Sequence, residues 1–116
     1  MNLEPQNLIS IIVEDNGVAM IKLTGDADLG SVDALLVILA EARRRPGVRE
    51  IVVDLAGVPF MDSSGLGALI AGQRLAMQDG LGFDAVNPTP PVRSVLAMTG
   101  VLQLLAGTAA DRFHDD

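Results

Sequence analysis

Three features of the chain predict an α/β fold with a mainly parallel sheet of four to five strands, an N-terminal hairpin, and helices packed on the sheet. Strand-like and helix-like segments alternate in the order β-β-α-β-α-β-α-(β), the pattern of parallel strands joined by right-handed crossovers. Ile51-Val52-Val53-Asp54-Leu55 is a short apolar run bounded by turn residues, which marks a strand buried on both faces. The 116 residues are 49% apolar, enough for one domain with a substantial core. Aromatic residues make up only 3%, with no Trp and no Tyr, so that core must be built from Leu, Val, Ile, Ala and Met.

The elements follow in order. Leu8 to Val13 is β-branched and apolar, and Val18 to Leu23 repeats the pattern. Asp15-Asn16-Gly17 between them is a turn signal, so the pair reads as a hairpin. Thr24-Gly25-Asp26-Ala27-Asp28 breaks the strand pattern. Val32, Leu35, Leu36, Leu39 and Ala40 then recur at helical spacing, with Ser31 or Asp28 as the cap. Arg43, Arg44 and Arg45 complement the dipole at that helix's C-terminus, and Pro46-Gly47 ends it. After the strand 51–55, Gly57 and Pro59 mark a loop. A second helix opens at Ser63-Ser64, with Leu66, Leu69, Ile70 and Met77 inward, Gln73 a polar interruption, and Asp79-Gly80 at its close. Phe83 to Val86 reads as a third parallel strand. Asn87-Pro88-Thr89-Pro90-Pro91 forces a stiff loop, and Pro91 suits the first turn of a helix holding Val92, Val95 and Leu96 and ending at Gly100. Val101 to Leu105 is read as a last edge strand. The acidic tail 109–116 is read as a frayed helix or a disordered end. The whole chain, 1–116, is taken as one domain with its core over about 8–105.

The composition removes several classes of function. A net charge of −7 repels nucleic acid and anionic lipid, and the lack of aromatic platforms argues against base stacking. With no Cys there is no disulfide, thiolate nucleophile or cysteine-bound metal. Met1-Asn2-Leu3-Glu4-Pro5 lacks the basic and apolar segments of a signal peptide, and no apolar run approaches the ~18 residues that span a membrane. A soluble cytoplasmic protein without membrane insertion is therefore expected. The single His, His114, sits in the acidic tail, so a Ser–His nucleophile system has no positioned base. Gly65-Leu66-Gly67 follows a strand and opens a helix, but Ile70 replaces the third glycine of a dinucleotide loop. The P-loop lysine is absent too, since Lys22 is the only lysine. Asp54 and Asp62 flank the Ser loop and could hold a divalent ion, although a strand-end Asp and a helix cap is the commoner reading of such a pair. No catalytic residue, cofactor or metal is assigned.

One constellation is left. Phe60-Met61-Asp62-Ser63-Ser64-Gly65-Leu66-Gly67 places two hydroxyls at the mouth of a helix, where backbone N–H groups are unpaired and negative charge is favoured. By local chemistry alone the Ser pair caps the helix. It is also a place where a phosphate can be added and removed. The loops after parallel strands gather at one end of a sheet, so Asp26 and Asp28 can come close to it and form a partner surface.

The stretch from Asp54-Leu55 through Val58-Pro59-Phe60-Met61-Asp62-Ser63-Ser64-Gly65-Leu66-Gly67-Ala68-Leu69 closely resembles the signature of STAS domains, especially bacterial anti-sigma-factor antagonists. Lys22-Leu23-Thr24-Gly25-Asp26-Ala27-Asp28 is similar to that family's L-x-G-x-x-D strand end. Asn87-Pro88-Thr89-Pro90-Pro91-Val92-Arg93 is similar to its loop before the third helix, and Leu96-Ala97-Met98-Thr99-Gly100-Val101 to its L-x-x-x-G-L close. The resemblance implies a single STAS domain that is no enzyme. It implies phosphorylation of Ser63, with Ser64 the second choice, by a partner anti-sigma factor that is also a GHKL-type serine kinase. A PP2C-type phosphatase would reverse it, and the unphosphorylated form would bind the anti-sigma factor and free the sigma factor. Asp26, Asp28, Asp62, Ser63, Ser64 and Gly65 would shape the binding face, with Asp26 an acid beyond the family pattern that tunes partner choice. The alternatives are an unmodified STAS scaffold, in a stressosome-like assembly or beside a lipid-transport ABC complex, and a small-ligand or nucleotide-binding module.

Overall fold

The computed structural model describes residues 8–98. Strand β1 (Ile9–Asp15) and strand β2 (Val18–Thr24) form the expected hairpin, paired antiparallel from Ile9↔Thr24 to Asp15↔Val18. The turn between them has two central residues, Asn16 (φ 55°) and Gly17 (φ 84°). Both lie in the left-handed region, as the type I′ turn of a two-residue hairpin demands. The Arg49 side chain closes over this turn, donating from Nη2 to the Asn16 carbonyl at 2.6 Å.

A short 3₁₀ turn (Leu29–Ser31) leads into helix α1 (Val32–Arg44). Strand β3 (Glu50–Gly57) follows, then helix α2 (Ser63–Gln78), strand β4 (Gly82–Val86) and helix α3 (Pro90–Met98). The sheet order is β1-β2-β3-β4, with β3 parallel to both β2 and β4. Because β2, β3 and β4 are laid down in one direction, two right-handed crossovers put α1 and α2 on the same face. That face carries Ala19, Ile21 and Leu23 of β2, Ile51, Val53 and Leu55 of β3, and Phe83 of β4. Leu35, Leu39 and Ala42 of α1 and Leu66, Leu69 and Ala76 of α2 complete the core, joined by Val92 and Leu96 of α3. Consecutive burial of Ile51, Val52 and Val53 bears out the expectation that β3 is covered on both faces.

The differences from expectation are local. The buried stripe of α1 is Leu35, Leu39 and Ala42, while Leu36 turns outward. Met77 does not line the inner face of α2 but is 64% exposed, because the buried row ends one residue earlier, at Ala76. The strands run one to three residues longer than their apolar runs, since ladder pairing does not stop where hydrophobicity does. The proposed edge strand Val101–Leu105, the helix end at Gly100, the tail 109–116 and His114 lie outside the described residues.

The core assignment separates two neighbouring positions on α1. Leu35 is 1% exposed and Val37 63%. Leu35→Ala should cost about 2–5 kcal/mol of stability in urea unfolding, and Val37→Ala no more than about 0.5 kcal/mol.

Candidate functional site

The site is built where three loops leave the C-terminal ends of β2, β3 and β4. The first loop, 25–28, is held to the second, 57–62, by backbone alone. Gly25 N–H donates to the Gly57 carbonyl (2.9 Å), Ala27 N–H to the Phe60 carbonyl (2.9 Å), and Asp62 N–H to the Ala27 carbonyl (3.1 Å). Ala27 and Met61 thus form an isolated parallel bridge, and both are buried. The third loop joins through side chains. Thr89 Oγ1 donates to the Val58 carbonyl at 2.8 Å, and Asn87 Nδ2 to Asp54 Oδ1 at 3.3 Å. Asn87 itself sits at φ 58°, a left-handed position that Asn tolerates better than most residues.

Asp62 is the cap of α2. Its backbone is extended (φ −106°, ψ −174°), and its Oδ1 accepts from Ser64 N–H at 2.8 Å and Gly65 N–H at 3.1 Å. This bears out the reading of Asp62 as a helix cap and corrects the reading in which the Ser pair does the capping. Asp and Ser are equally good caps, and Asp62, one residue earlier, already satisfies the N–H groups of the second and third helical residues. Ser63 and Ser64 are therefore the first two residues inside the helix, Ser63 exposed and Ser64 half-buried.

Gly65 is fixed by space. A Cβ there would collide with the Ala27 carbonyl, whose carbon would lie 2.8 Å away. The helix mouth can press against the first loop only because that side chain is missing. Across this contact, Asp28 opens the 3₁₀ turn, and its N–H donates to Ser31 Oγ at 2.9 Å. The buried Ser31 hydroxyl lies 3.0 Å from both the Asp26 and Asp28 carbonyl oxygens, one of which takes its proton. So Ser31 bends the loop that presents Asp26 and Asp28, both half-buried.

The structure thus brings together every residue singled out at this end: Asp26, Asp28, Asp62, Ser63, Ser64 and Gly65. It separates out two others. Asp54 Oδ1 accepts from Ala56 N–H at 3.0 Å and is occupied as a strand-end turn former. Among the described residues, no three His, Cys, Asp or Glu side chains converge as a metal site would require. The arginine run lies at the far end of α2, about 24 Å along a 16-residue helix. There Arg43 Nε pairs with Asp79 Oδ2 at 2.8 Å.

Sequence reasoning missed two apolar residues beside the acids, Leu29 (75% exposed) and Phe60 (48% exposed). It also did not count the third loop as part of the site. The signal was present in both cases. Leu29 and Phe60 each adjoin a turn-forming cluster outside any apolar period, and the Pro-rich loop follows a parallel strand, as the other two loops do.

A mixed α/β domain with a four-stranded sheet, an N-terminal hairpin and a Ser-bearing helix mouth is the architecture of one class of small domains. The comparisons with known proteins agree. A family model described as "Mlab, STAS domain" matches residues 12–106, and the chain belongs to the STAS family. An anti-sigma F factor antagonist from Paenibacillus polymyxa is 33% identical over 89 residues, 77% of this chain and 76% of that protein. The solved structure of the anti-sigma factor antagonist SpoIIAA in its unphosphorylated form aligns with a TM-score of 0.69 at 24% identity, over 80% of this chain and 82% of that one. The Bacillus cell fate determinant SpoIIAA in the phosphorylated form aligns at 0.63 and 23% identity, over 80% and 85%. Among the described residues, no helix is long and apolar enough to cross a membrane.

Two substitutions probe the site's construction. Asp62→Ala should lose about 1 kcal/mol in thermal or urea unfolding, and Asp62→Asn only a fraction of that. Ser63→Ala, which leaves the cap in place, should be nearly neutral.

Proposed function

We propose that this protein is an anti-sigma-factor antagonist whose affinity for its partner is switched by phosphorylation of Ser63. The observation that carries this reading is the position of Ser63. It is an exposed hydroxyl on the first residue of α2, on a surface where three loops are locked together, and it takes no part in capping the helix. The antagonist identity of the similar Paenibacillus protein supports the role.

The chemistry is that of a charge switch. Phosphorylation adds about −1.5 to −2 charges. Asp62 already binds the Ser64 and Gly65 N–H groups, so a phosphate on Ser63 has little call on them and stays at the surface beside an existing carboxylate. A partner surface shaped for a neutral hydroxyl would then have to desolvate a dianion. Asp26, Asp28 and Asp62 would orient a basic or mixed partner surface, Leu29 and Phe60 would supply apolar contact, and Gly65 would keep the loops in register. The partner is a GHKL-type serine kinase that also holds the sigma factor, and a PP2C-type phosphatase restores the hydroxyl. The protein is a substrate and a ligand rather than a catalyst, with ATP and Mg²⁺ bound by the kinase, and it works in the cytoplasm.

Intact mass after incubation with the cognate kinase and ATP tests the assignment. One phosphate should be gained by the wild type and by Ser64→Ala, and none by Ser63→Ala. The opposite pattern would move the acceptor to Ser64. In calorimetry Ser63→Asp should weaken the complex about a hundredfold, equivalent to ~3 kcal/mol, and unchanged affinity would sink the charge mechanism.

A further inference from the structure

Strand β1 is built the wrong way round for a covered edge. Its positions toward the helices are Ser10, Ile12 and Glu14, while Ile9, Ile11 and Val13 project from the opposite face and are 59%, 57% and 49% exposed. The apolar strip continues onto β2, and Val13 and Asp15 of β1, Asn16 of the turn, and Val18, Met20 and Lys22 of β2 line an open groove of about 410 Å³. β1 is also an edge of the sheet, and among the described residues no strand pairs with its outer side. Its edge protection is confined to one end, where Glu14 and Asp15 carry charge, and Ile9 to Val13 have none. Its seven-residue register is unbroken by a bulge, and it carries no Pro or Lys.

We infer that β1 is the interface through which two copies of this chain dimerise, pairing antiparallel about a two-fold axis at Ile11. The hairpin fixes which backbone groups are free. Asp15 and Val18 flank a two-residue turn and form a hydrogen-bonded pair, so the pairs of Val13, Ile11 and Ile9 are hydrogen-bonded as well. The N–H and C=O groups of Ser10, Ile12 and Glu14 therefore point to the open edge. Pairing about Ile11 sets Ser10 against Ile12 of the second copy, hydrogen-bonded in both directions, and Glu14 against Leu8. On the exposed face, Ile9 meets Val13 and Ile11 meets Ile11, so six β-branched side chains close into one strip.

Charge favours a second copy in this register. The acids of the strand, Glu14 and Asp15, lie at one end, and antiparallel pairing carries them to opposite ends of the interface. Shifting the axis to Ile12 would set Glu14 against Ser10 and Asp15 against Ile9, placing a carboxylate in the apolar strip. The net charge of −7 on each copy opposes association through long-range repulsion, which salt screens.

The experiment uses the absence of native cysteine. Non-hydrogen-bonded antiparallel partners have Cα atoms about 4.5 Å apart, within disulfide range. Under mild oxidation, Ile11→Cys should shift to twice the monomer mass on a non-reducing gel. Val37→Cys, equally exposed but on α1, should not. Ile9→Cys and Val13→Cys should cross-link when mixed and not when kept apart. In sedimentation the wild type should move toward dimer with rising concentration and rising salt, and Ile11→Lys, with an unchanged circular dichroism spectrum, should stay monomeric. A wild type that remains monomeric throughout, a dimer that survives Ile11→Lys, or cross-linking of Val37→Cys as fast as Ile11→Cys would each overturn the inference. None of these readouts involves Ser63.

Discussion

The surface at the C-terminal end of the sheet depends on one backbone contact, the bridge between Ala27 and Met61. Ala27 donates to Phe60 and accepts from Asp62, so both peptide groups of one small buried residue are spent on the loop that starts α2. Strand β2 and the mouth of α2 thereby behave as one piece, although 33 residues of chain, including α1 and β3, lie between Ala27 and Met61. Gly65 is the condition for this contact, because any side chain there would push Ala27 away. The cap, the exposure of Ser63 and the placement of Asp28 all follow from that contact.

Its energy is modest, and its geometric effect is large. Two backbone hydrogen bonds contribute on the order of 1 kcal/mol each. They fix the separation of two loops and so the relative placement of their side chains, and the tie between Thr89 and Val58 adds the third. A recognition surface made of loops can be stiff when the loops bond to one another rather than to water.

Much of this was legible in the sequence, because the relevant signals are periodic. The runs 18–23 and 51–55, the helical spacing of Leu35 and Leu39, and the Asn16-Gly17 turn each report a local preference that the tertiary structure kept. The meeting of the Asp26–Asp28 loop with the Ser loop also followed, from parallel topology. The cap was legible only as a choice between Asp62 and the Ser pair. Asp62, Ser63 and Ser64 are all good capping types, and only the extended backbone at Asp62 decides among them. The Ala27 bridge was not legible, since a peptide group carries no side-chain signature. Met77 was misplaced because a helical period identifies a face but not where packing on it ends. The inverted alternation of β1 stood in the sequence from the start, and becomes meaningful only once the strand is known to be an edge.

Asp62 and Ser63 divide between them two tasks that a single residue often combines. The carboxylate holds the helix end, leaving the neighbouring hydroxyl without structural duty. A group in that position can be esterified and restored without the domain loosening, so proteases and chaperones would meet the same folded body in either state. The lifetime of the mark would then be set by the enzymes that write and erase it, and the domain would serve as a durable one-bit record.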